Sequence, residues 1–351
     1  MSGKSGYLLD MNKKILREMM AEYEKAPQVY YPSNFWKELN KIHIQQISNI
    51  GFDNFKRSVN MRYFNWGVLG ILIHQLLPVF SELLRGNFAP IFNSHFINPR
   101  SKANSHARSF NVVSAFIYRV YVAALRDYVS YNDTLKILNR LQEPLIGNPF
   151  GVLYKNKIIS QDLCNSVHEF YSITKKINSK KTMNIAELGA GYGRLGYVFL
   201  ETLPKSSYCI IDIPPALFIA QEYLSKVFPK EKIFYFRPFT SFEEVREEFE
   251  SARIKFLMAH QIEYLPDKYF DLTITISSLH EMTNEQIKNY IKHIGRLTQG
   301  YFYTKQWRRS RIKDNFYIKE NEYPIPKNWR VIYKERHPIQ SMFFEALYKI
   351  Y

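Results

Sequence analysis

A run of glycines lies near the middle of the chain, between Glu187 and Gly196, where the sequence reads ELGAGYGRLG. Gly191 and Gly193, together with Gly196, satisfy the spacing GxGxxG between a predicted strand and a predicted helix. Glycines at such a turn permit a positive φ and let a ligand approach the backbone closely. The spacing alone is a weak signal, but it predicts a site for a nucleotide-like ligand.

The glycine run is preceded by a carboxylate, because Glu187 lies two residues before Gly189. In a dinucleotide site the pyrophosphate binds over the helix N-terminus, and a carboxylate in this position would repel it. The same carboxylate can hold a cationic amino-acid moiety. The loop therefore favours S-adenosylmethionine, whose sulfonium and ammonium groups are positive, over NAD.

A second acidic side chain follows 19 residues after Gly193, in the segment CIIDIPP. Asp212 lies at the predicted carboxyl end of the next strand, where a carboxylate accepts hydrogen bonds from ribose hydroxyls. Pro214 and Pro215 then suit the start of a helix. We expect Asp212 to bind the ribose of the cofactor.

From about residue 183, short β-rich segments alternate with helical segments, which is typical of a parallel α/β sheet. The predicted strands are Met183–Leu188, Tyr208–Ile213, Lys255–Ala259, Asp271–Ser277 and Gly300–Gln306. The predicted helices are Arg194–Leu203, Pro215–Phe228, Phe242–Ser251 and Asn284–Leu297. Two strand-like runs at the C-terminus, Trp329–Arg336 and Phe343–Tyr351, predict a terminal hairpin that a simple dinucleotide fold usually lacks.

The N-terminal part of the chain has a different pattern and is predicted to be mainly helical. The predicted helices are Asn12–Lys25, Phe35–Ile50, Val59–Leu84, Val112–Val129 and Asp133–Leu141. Asn93–Asn111 lacks periodicity and is predicted to be a loop. We expect a helical domain at residues 1–145 that covers or completes the acceptor site, followed by an α/β domain at residues 146–351.

These features together resemble the class I S-adenosylmethionine-dependent methyltransferases over about residues 183 to 351. The motifs that carry the resemblance are the glycine loop, Asp212, the segment LPDKYFDL and the terminal hairpin. The resemblance implies an α/β, Rossmann-like fold with a seven-stranded sheet and a C-terminal antiparallel hairpin, preceded by the helical domain.

A narrower resemblance begins near Leu145. The segments LIGNPFGVLYKNKIISQDLCNSVHEF, ELGAGYGRLGY, CIIDIPPAL and SSLHEM are similar to a bacterial family of sugar O-methyltransferases. That family is associated with surface polysaccharide and nonulosonic-acid loci. The resemblance implies an O-methyltransferase that acts on a sugar or sugar conjugate in surface-polysaccharide biosynthesis.

The resemblance to the class also completes the predicted cofactor site. Its residues are Glu187, Gly189, Gly191, Gly193, Asp212, Ile213, Gln261, Ile262 and Ser277. Class I enzymes commonly have an acidic residue at the position of Gln261, where it binds the adenine amino group. A glutamine carbonyl can accept the same hydrogen bond.

Two ionisable residues, His280 and Glu281, end the predicted fourth strand, where methyl acceptors bind in this fold. Transfer to a hydroxyl requires removal of a weakly acidic proton, and a neutral histidine can accept it. His280 is therefore the predicted general base, whereas Glu281 could be the base instead or could bind a substrate hydroxyl or amine. In a helical turn the two side chains would point in different directions and would not form a simple dyad. No Asp/Glu cluster follows this strand, so no metal is predicted.

The chain is basic, with 48 Lys and Arg against 32 Asp and Glu, a formal net charge of +16 over 351 residues. This balance favours an anionic partner. We therefore expect an anionic acceptor, such as a nucleotide-sugar, a sialic-type sugar or a phosphorylated glycan. The candidate substrate-binding residues are Trp307, Arg308 and Arg309 after the fifth strand and His95, Arg100, His106 and Arg108 in the predicted loop.

Several classes of protein are disfavoured. The two cysteines, Cys164 and Cys209, are too few for a disulfide framework or a Cys-rich zinc site. The N-terminus has no secretory h-region, and the longest apolar run, about Val68 to Phe80, is too short to span a bilayer. We expect a cytoplasmic protein that could associate with the inner membrane surface.

Two alternatives stay open. The positive charge and the Tyr, Phe and Lys content also fit a nucleic-acid-binding protein or an RNA methyltransferase, although the sequence contains no recognised RNA or DNA module. A non-catalytic partner with a methyltransferase fold is the other possibility. The sequence leaves the particular sugar, the methylated hydroxyl and the oligomeric state undetermined.

Overall fold

A computed structural model of the chain describes residues 14–50, 52–58, 68–97, 110–178, 181–311 and 317–351. Its strands are β1 His95–Ile97, β2 Gly151–Tyr154, β3 Lys157–Ile159, β4 Asn184–Leu188, β5 Ser207–Asp212, β6 Ile233–Phe234, β7 Ile254–Met258, β8 Phe270–Ile276, β9 Thr298–Trp307, β10 Arg309–Arg311, β11 Tyr317–Lys319, β12 Arg330–Arg336 and β13 Phe343–Lys349. Its main helices are residues 14–23, Asn34–Ile50, Val68–His74, Leu77–Leu84, Val112–Ser130, Gln161–Thr174, Arg194–Thr202, Ala216–Val227, Arg246–Ser251 and Asn284–Leu297. Shorter α-helices are Phe55–Ser58, Ala89–Phe92 and Ile137–Arg140.

The central sheet has eight strands in the order β12-β13-β9-β8-β4-β5-β7-β6. Six neighbouring strands of this sheet pair in parallel, in the order β9-β8-β4-β5-β7-β6. Strand β13 is antiparallel to both of its neighbours, β9 and β12. A mostly parallel sheet with a C-terminal antiparallel hairpin is the arrangement that the resemblance to class I methyltransferases implied. The observed sheet has one strand more than the predicted seven, because the two-residue strand β6 pairs with β7 at the edge.

The central strands are buried along their length, as parallel strands with helices on both faces must be. All five residues of β7 are buried, and so are four of the five in β4. Hydrophobic runs of this kind leave the strand ends as the place where polar groups can reach a ligand. The carboxyl ends of β4, β5 and β8 therefore determine where a site can form.

The predicted elements of the C-terminal part are confirmed with small differences at their ends. Asn284–Leu297 begins and ends as predicted, and its start is fixed by a capping box between Thr283 and Gln286. The predicted helix Phe242–Ser251 is divided into a 3-10 turn, Phe242–Glu244, and the helix Arg246–Ser251.

Three N-terminal predictions are wrong in part. Of the predicted helix Asp133–Leu141, only Ile137–Arg140 is helical. Within the predicted helix Val59–Leu84, the described residues form two helices that are separated after His74. Pro78 lies in the first turn of the second helix. Because proline has no backbone N–H, it cannot donate the helical hydrogen bond to the His74 carbonyl, and its ring would clash with that carbonyl in a continuous helix. The predicted loop Asn93–Asn111 contains the strand β1.

A small sheet that the sequence did not predict joins two distant parts of the chain. Strand β2 pairs with β3 and also with β1, both antiparallel. The sheet thus connects residues 95–97 with residues 151–159, on either side of the expected domain boundary near residue 145. The helix Gln161–Thr174 follows directly, and its N-cap Ser160 accepts a hydrogen bond from the backbone nitrogen of Leu163 at 3.0 Å.

Candidate active site

The glycine loop after β4 adopts the backbone that the spacing predicts. Gly189, Gly191 and Gly193 all have positive φ, at 73°, 61° and 83°. A Cβ atom on Gly189 would overlap the side chain of Ser278, and one on Gly193 would lie 2.9 Å from a Leu224 methyl group. Both φ and packing therefore require glycine at these two positions.

Two buried carboxyl groups flank this loop. At the end of β5, the Asp212 carboxylate accepts hydrogen bonds from the backbone nitrogens of Gly191 at 2.9 Å and of Ile213 at 2.7 Å. In β4, Glu187 accepts one from the Tyr208 hydroxyl at 2.8 Å. Burial raises the pKa of Glu187 to about 8 and that of Asp212 to about 7.

These groups lie on one cavity of about 240 Å³ at the carboxyl ends of β4, β5 and β8. It contains most of the predicted cofactor site and two other predicted residues. The predicted residues that line it are Glu187, Gly189, Gly191, Asp212, Ile213, Ser277, Glu281 and Trp307. Those that lie outside its lining are Gly193, Gln261, Ile262, His280, His95, Arg308 and Arg309.

Gln261, the predicted adenine contact, is turned toward the protein interior. Its amide oxygen accepts a hydrogen bond from the backbone nitrogen of Met258 at 2.9 Å, and its amide nitrogen donates one to the Arg237 carbonyl at 2.8 Å. The residue is 1% exposed. In this structure the side chain therefore ties the end of β7 to a neighbouring loop and does not present its carbonyl to the cavity.

His280, the predicted base, is fully buried behind the cavity wall. Its ring stacks on Trp307 with centroids 4.6 Å apart, and Nδ1 lies 2.9 Å from Gln306 Oε1. Because that amide oxygen can only accept, the contact favours a proton on Nδ1, although the Trp307 backbone N–H also lies 3.4 Å from Nδ1 and would need it as an acceptor. Burial lowers the pKa of His280 to about 3, so the ring is neutral near pH 7 and a weak proton acceptor.

Glu281 occupies the position on the cavity that was expected for the base. Its side chain is 20% exposed, and burial raises its pKa to about 8, a shift that a hydrogen bond from Trp36 opposes. His280 Nε2 lies 3.6 Å from Glu281 Oε1, although the two residues share a 3-10 turn. Nε2 therefore faces the carboxyl group from behind, contrary to the expectation that the two side chains point apart. It makes no hydrogen bond among the described residues, so the two groups form no dyad.

The N-terminal part of the chain supplies a wall of the cavity that the motifs did not identify. Residues 30–33, Trp36 and Leu39 line it beside Tyr290 of the helix Asn284–Leu297. Ser33 Oγ donates a hydrogen bond to the Glu281 carbonyl at 2.9 Å. The only signal in the sequence was the general expectation that the helical part covers the acceptor site, because no motif marks these positions.

An ion-pair network under the cavity was also missed. Arg194 donates two hydrogen bonds to the fully buried Glu169, at 2.6 and 3.0 Å, and Lys305 donates another at 2.8 Å. Although burial opposes ionisation, the two cations hold the pKa of Glu169 at about 2. Of these three residues, only Arg194 reaches the cavity lining, and its charge is already paired.

The basic residues proposed for an anionic acceptor lie elsewhere. Arg308 pairs with Glu320 at 2.9 Å at the surface, Arg309 belongs to β10, and His95 is exposed on β1. Arg100, His106 and Arg108 lie outside the described residues. The cavity lining contains four acidic residues, Asp162, Glu187, Asp212 and Glu281. Within the described ranges, Arg194 is the only Lys or Arg in the lining. The cavity is therefore acidic although the chain is basic.

The residues that the structure describes lack two features. Among them, no group of three or more His, Cys, Asp or Glu side chains is placed to hold a metal ion. None of the helices in those same ranges has the length and apolar character that crossing a bilayer requires.

No model of a known protein family matches the chain, and no curated protein matches it. Similar solved structures include an S-adenosylmethionine-dependent methyltransferase from Aquifex aeolicus, with 15% identity, coverage of 50% of this chain and 87% of the other, and a TM-score of 0.31. A Leishmania major methyltransferase shares 18% identity over 54% of this chain and 70% of its own, with a TM-score of 0.36. A third similar structure is the magnesium protoporphyrin IX methyltransferase of Synechocystis PCC 6803, solved with bound S-adenosylhomocysteine. It shares 11% identity over 65% of this chain and 98% of its own, with a TM-score of 0.38. Similarities this low establish neither an activity nor a substrate for this chain.

Proposed function

We propose that this protein is an S-adenosylmethionine-dependent methyltransferase. The observation that supports this most strongly is the cavity at the carboxyl ends of the strands, where Glu187 and Asp212 flank a glycine turn and Glu281 lies on the same cavity. Ligands bind at this edge in open α/β sheets. The cofactor, the enzyme class and the roles of the residues below are parts of this proposal.

The donor set fits the cofactor. Glu187 can pair with its ammonium group, and the two oxygens of Asp212 can accept hydrogen bonds from a ribose diol. Asn165 Oδ1 is buried in the lining and has no hydrogen-bond partner among the described residues, so a donor from a ligand would satisfy it. Gly189 also lines the cavity, and a side chain at this position would overlap Ser278.

When bound, S-adenosylmethionine would supply an electrophilic methyl group carried on a sulfonium. The protein has then to exclude water, orient the acceptor and remove its proton. Glu281 is the group on the cavity that can take this proton at a carboxylate oxygen. We therefore move the proposed general base from His280 to Glu281, with His280 behind it.

For the acceptor, we propose a hydroxyl group of a sugar or sugar conjugate in surface-polysaccharide biosynthesis. The support is the resemblance of the chain from Leu145 onward, together with aromatic side chains of Trp36, Tyr290 and Trp307 on the cavity, which can pack against a ring. The only Lys or Arg among the described lining residues is Arg194, which is paired with Glu169, so the lining offers no unpaired cation for an anionic group next to Glu281. If the acceptor carries one, it would lie outside the cavity.

The remaining expectations stay predictions. A cytoplasmic location, with or without contact with the inner membrane surface, rests on the sequence alone. The same is true of nucleic-acid binding or RNA methylation as the alternative function, for which the overall charge and the Tyr, Phe and Lys content are the arguments. Steep salt dependence of binding to random oligonucleotides would favour that alternative.

The test is methyl transfer from labelled S-adenosylmethionine to a panel of neutral sugars, nucleotide-sugars and glycan extracts, with mass analysis of the product. The proposal predicts a product heavier by one methylene unit at a sugar hydroxyl. Glu281→Gln is the variant that should lose turnover, and Asp267→Asn, a substitution of an exposed carboxylate outside the cavity lining, is its matched control. Transfer to RNA and to none of the sugars would contradict the proposed acceptor but not the cofactor.

A further inference from the structure

A single buried amide, that of Gln306 in β9, holds the turn that follows β8. Its oxygen Oε1 accepts hydrogen bonds from the backbone nitrogens of Ser278 at 3.2 Å and of His280 at 3.3 Å. Its nitrogen Nε2 donates to the Thr275 carbonyl at 3.2 Å and to the Thr304 hydroxyl at 3.1 Å. Gln306 is fully buried and lies outside the cavity lining, so its amide can act on the site only through these partners.

The partners fix the direction in which the Gln306 amide points. Because two backbone N–H groups face one end of the amide, that end has to be the oxygen. His280 Nδ1 lies 2.9 Å from the same oxygen, and this contact is a hydrogen bond only when Nδ1 carries the ring proton. The backbone N–H of Trp307, 3.4 Å from Nδ1, would need the opposite tautomer. The shorter contact favours the proton on Nδ1.

The turn that is held in this way determines which of two adjacent side chains reaches the cavity. Ser310 Oγ donates to the His280 carbonyl at 2.8 Å, and Ser33 Oγ donates to the Glu281 carbonyl at 2.9 Å. With its backbone fixed, the turn directs the imidazole of His280 inward, where the ring stacks on Trp307. The next side chain, that of Glu281, is thereby left on the cavity lining.

We propose that Gln306 is a positioning residue, whose amide fixes this turn and the tautomer of His280 so that Glu281 faces the acceptor. The inference rests on the proposed function, in which Glu281 takes the proton of the acceptor hydroxyl. Glutamine suits this position because its amide accepts at one atom and donates at the other, and both are used here. Gln306 thus affects turnover without contacting the cofactor or the acceptor.

The first test is the tautomer of His280, which the NMR chemical shifts of its two ring nitrogens report in the full-length protein without cofactor. His280→Gln assigns the signals, and the wild-type ring should carry its proton on Nδ1. Gln306→Met keeps the length of the side chain and removes the amide acceptor. The Trp307 N–H is then the partner left for Nδ1, so the proton should move to Nε2. Gln306→Glu still offers a carboxylate oxygen and should keep the proton on Nδ1.

The second test is turnover, measured with the sugar that accepts the methyl group in the panel of acceptors. Gln306→Met should lower kcat by up to about 100-fold, because a small displacement of the catalytic group is enough for such a loss. The affinity for S-adenosylmethionine should stay within a few fold. Gln306→Glu should recover most of the lost turnover, because it restores the acceptor for the N–H groups of the turn.

Gln221→Met is the matched control for the loss of a buried amide. Gln221 accepts a hydrogen bond from the backbone nitrogen of Phe236 at 2.8 Å and is buried, but it lies outside the cavity lining. The control should change neither the His280 tautomer nor kcat.

Three results would overturn the inference: a wild-type imidazole with its proton on Nε2, a folded Gln306→Met protein with the wild-type kcat, or an equal loss of kcat in Gln221→Met. Failure of the wild-type protein to bind S-adenosylmethionine in calorimetry would instead overturn the proposed function. The tautomer is measured without cofactor, so the two failures are distinguishable.

Discussion

The two halves of the cavity are built in different ways. The half that we propose binds the cofactor comes from one continuous stretch, in which β4, the glycine loop and β5 bring Glu187, Gly189 and Asp212 together within 26 residues. The half that we propose binds the acceptor combines Trp36, Glu281 and Trp307, which are far apart in the sequence. The first half is thus set by local backbone geometry, and the second depends on long-range packing.

This difference makes the two halves separable by substitution. A change in the glycine turn should affect cofactor binding, and a change around Glu281 should affect turnover while binding persists. An effect confined to one half would confirm this separation, and an effect on both would show that the halves are coupled.

The largest effect is expected from Gly189→Ala. The new methyl group would overlap Ser278, and the residue would keep a φ of 73°, so the loop has to move. We expect S-adenosylmethionine binding to fall below detection in calorimetry. Gly86→Ala is the control, since Gly86 has the same φ of 73° and open space around its Cβ position. Unchanged binding by a folded Gly189→Ala protein would show that the turn does not form the cofactor site.

Glu281→Gln should lower kcat by about 10²–10⁴-fold, the usual contribution of a positioned base. The affinity for S-adenosylmethionine should stay within a few fold, because the substitution is on the acceptor side. His280→Gln should have a smaller effect, since the ring faces the carboxyl group and not the cavity. If His280→Gln abolished turnover and Glu281→Gln did not, the base would be His280 as the sequence first indicated.

Asp212→Asn should weaken S-adenosylmethionine binding by about 1–3 kcal/mol, because an amide cannot replace both acceptor oxygens beside Gly191. The acceptor KM should change little if the two halves are separable. Calorimetry and steady-state kinetics on the same preparation give both numbers. An equal loss in acceptor KM would show that the halves are coupled.

Cofactor binding should depend on pH in a direction set by the buried carboxyls. The pKa values of Glu187 and Glu281 are about 8 and that of Asp212 is about 7, so these groups hold protons near neutrality in the free protein. A cationic ligand favours their ionised forms. We therefore expect affinity to rise between about pH 6 and pH 9, with protons released on binding.

Calorimetry in two buffers of different ionisation enthalpy measures that release. The demethylated product lacks the sulfonium charge and should show a weaker pH dependence. A flat profile for S-adenosylmethionine would mean that the carboxyls do not face the charged part of the cofactor.

The sequence predicted that the glycine turn and its two carboxyls lie together at one strand edge, because the evidence for that placement is local. The glycines lie directly after β4, and Asp212 follows 19 residues after Gly193 at the end of β5. The backbone of this short stretch is enough to set their relative positions. The topology followed for the same reason, since alternating strands and helices restrict the sheet to few arrangements. The prediction failed at Gln261, whose amide is used by Met258 and Arg237, because a side chain's direction depends on partners that no spacing shows.

The placement of the other predicted site residues was not evident from the sequence, for physical reasons. His280 and Glu281 are adjacent in the chain, but His280 is buried against Trp307 whereas Glu281 lies on the cavity. The positive charge of the whole chain suggested an anionic acceptor, but Arg308 is paired at the surface and the lining is acidic. Net charge is a sum over the whole chain and does not describe the charge of one buried site.

The central claim is that this cavity binds S-adenosylmethionine through the glycine turn and its two carboxyls. Calorimetric titration of the wild-type protein with S-adenosylmethionine and, in parallel, with NAD tests it most directly. The account predicts one site per chain for S-adenosylmethionine, weakened in Asp212→Asn and lost in Gly189→Ala, and no heat from NAD. Binding of NAD without binding of S-adenosylmethionine would contradict the account.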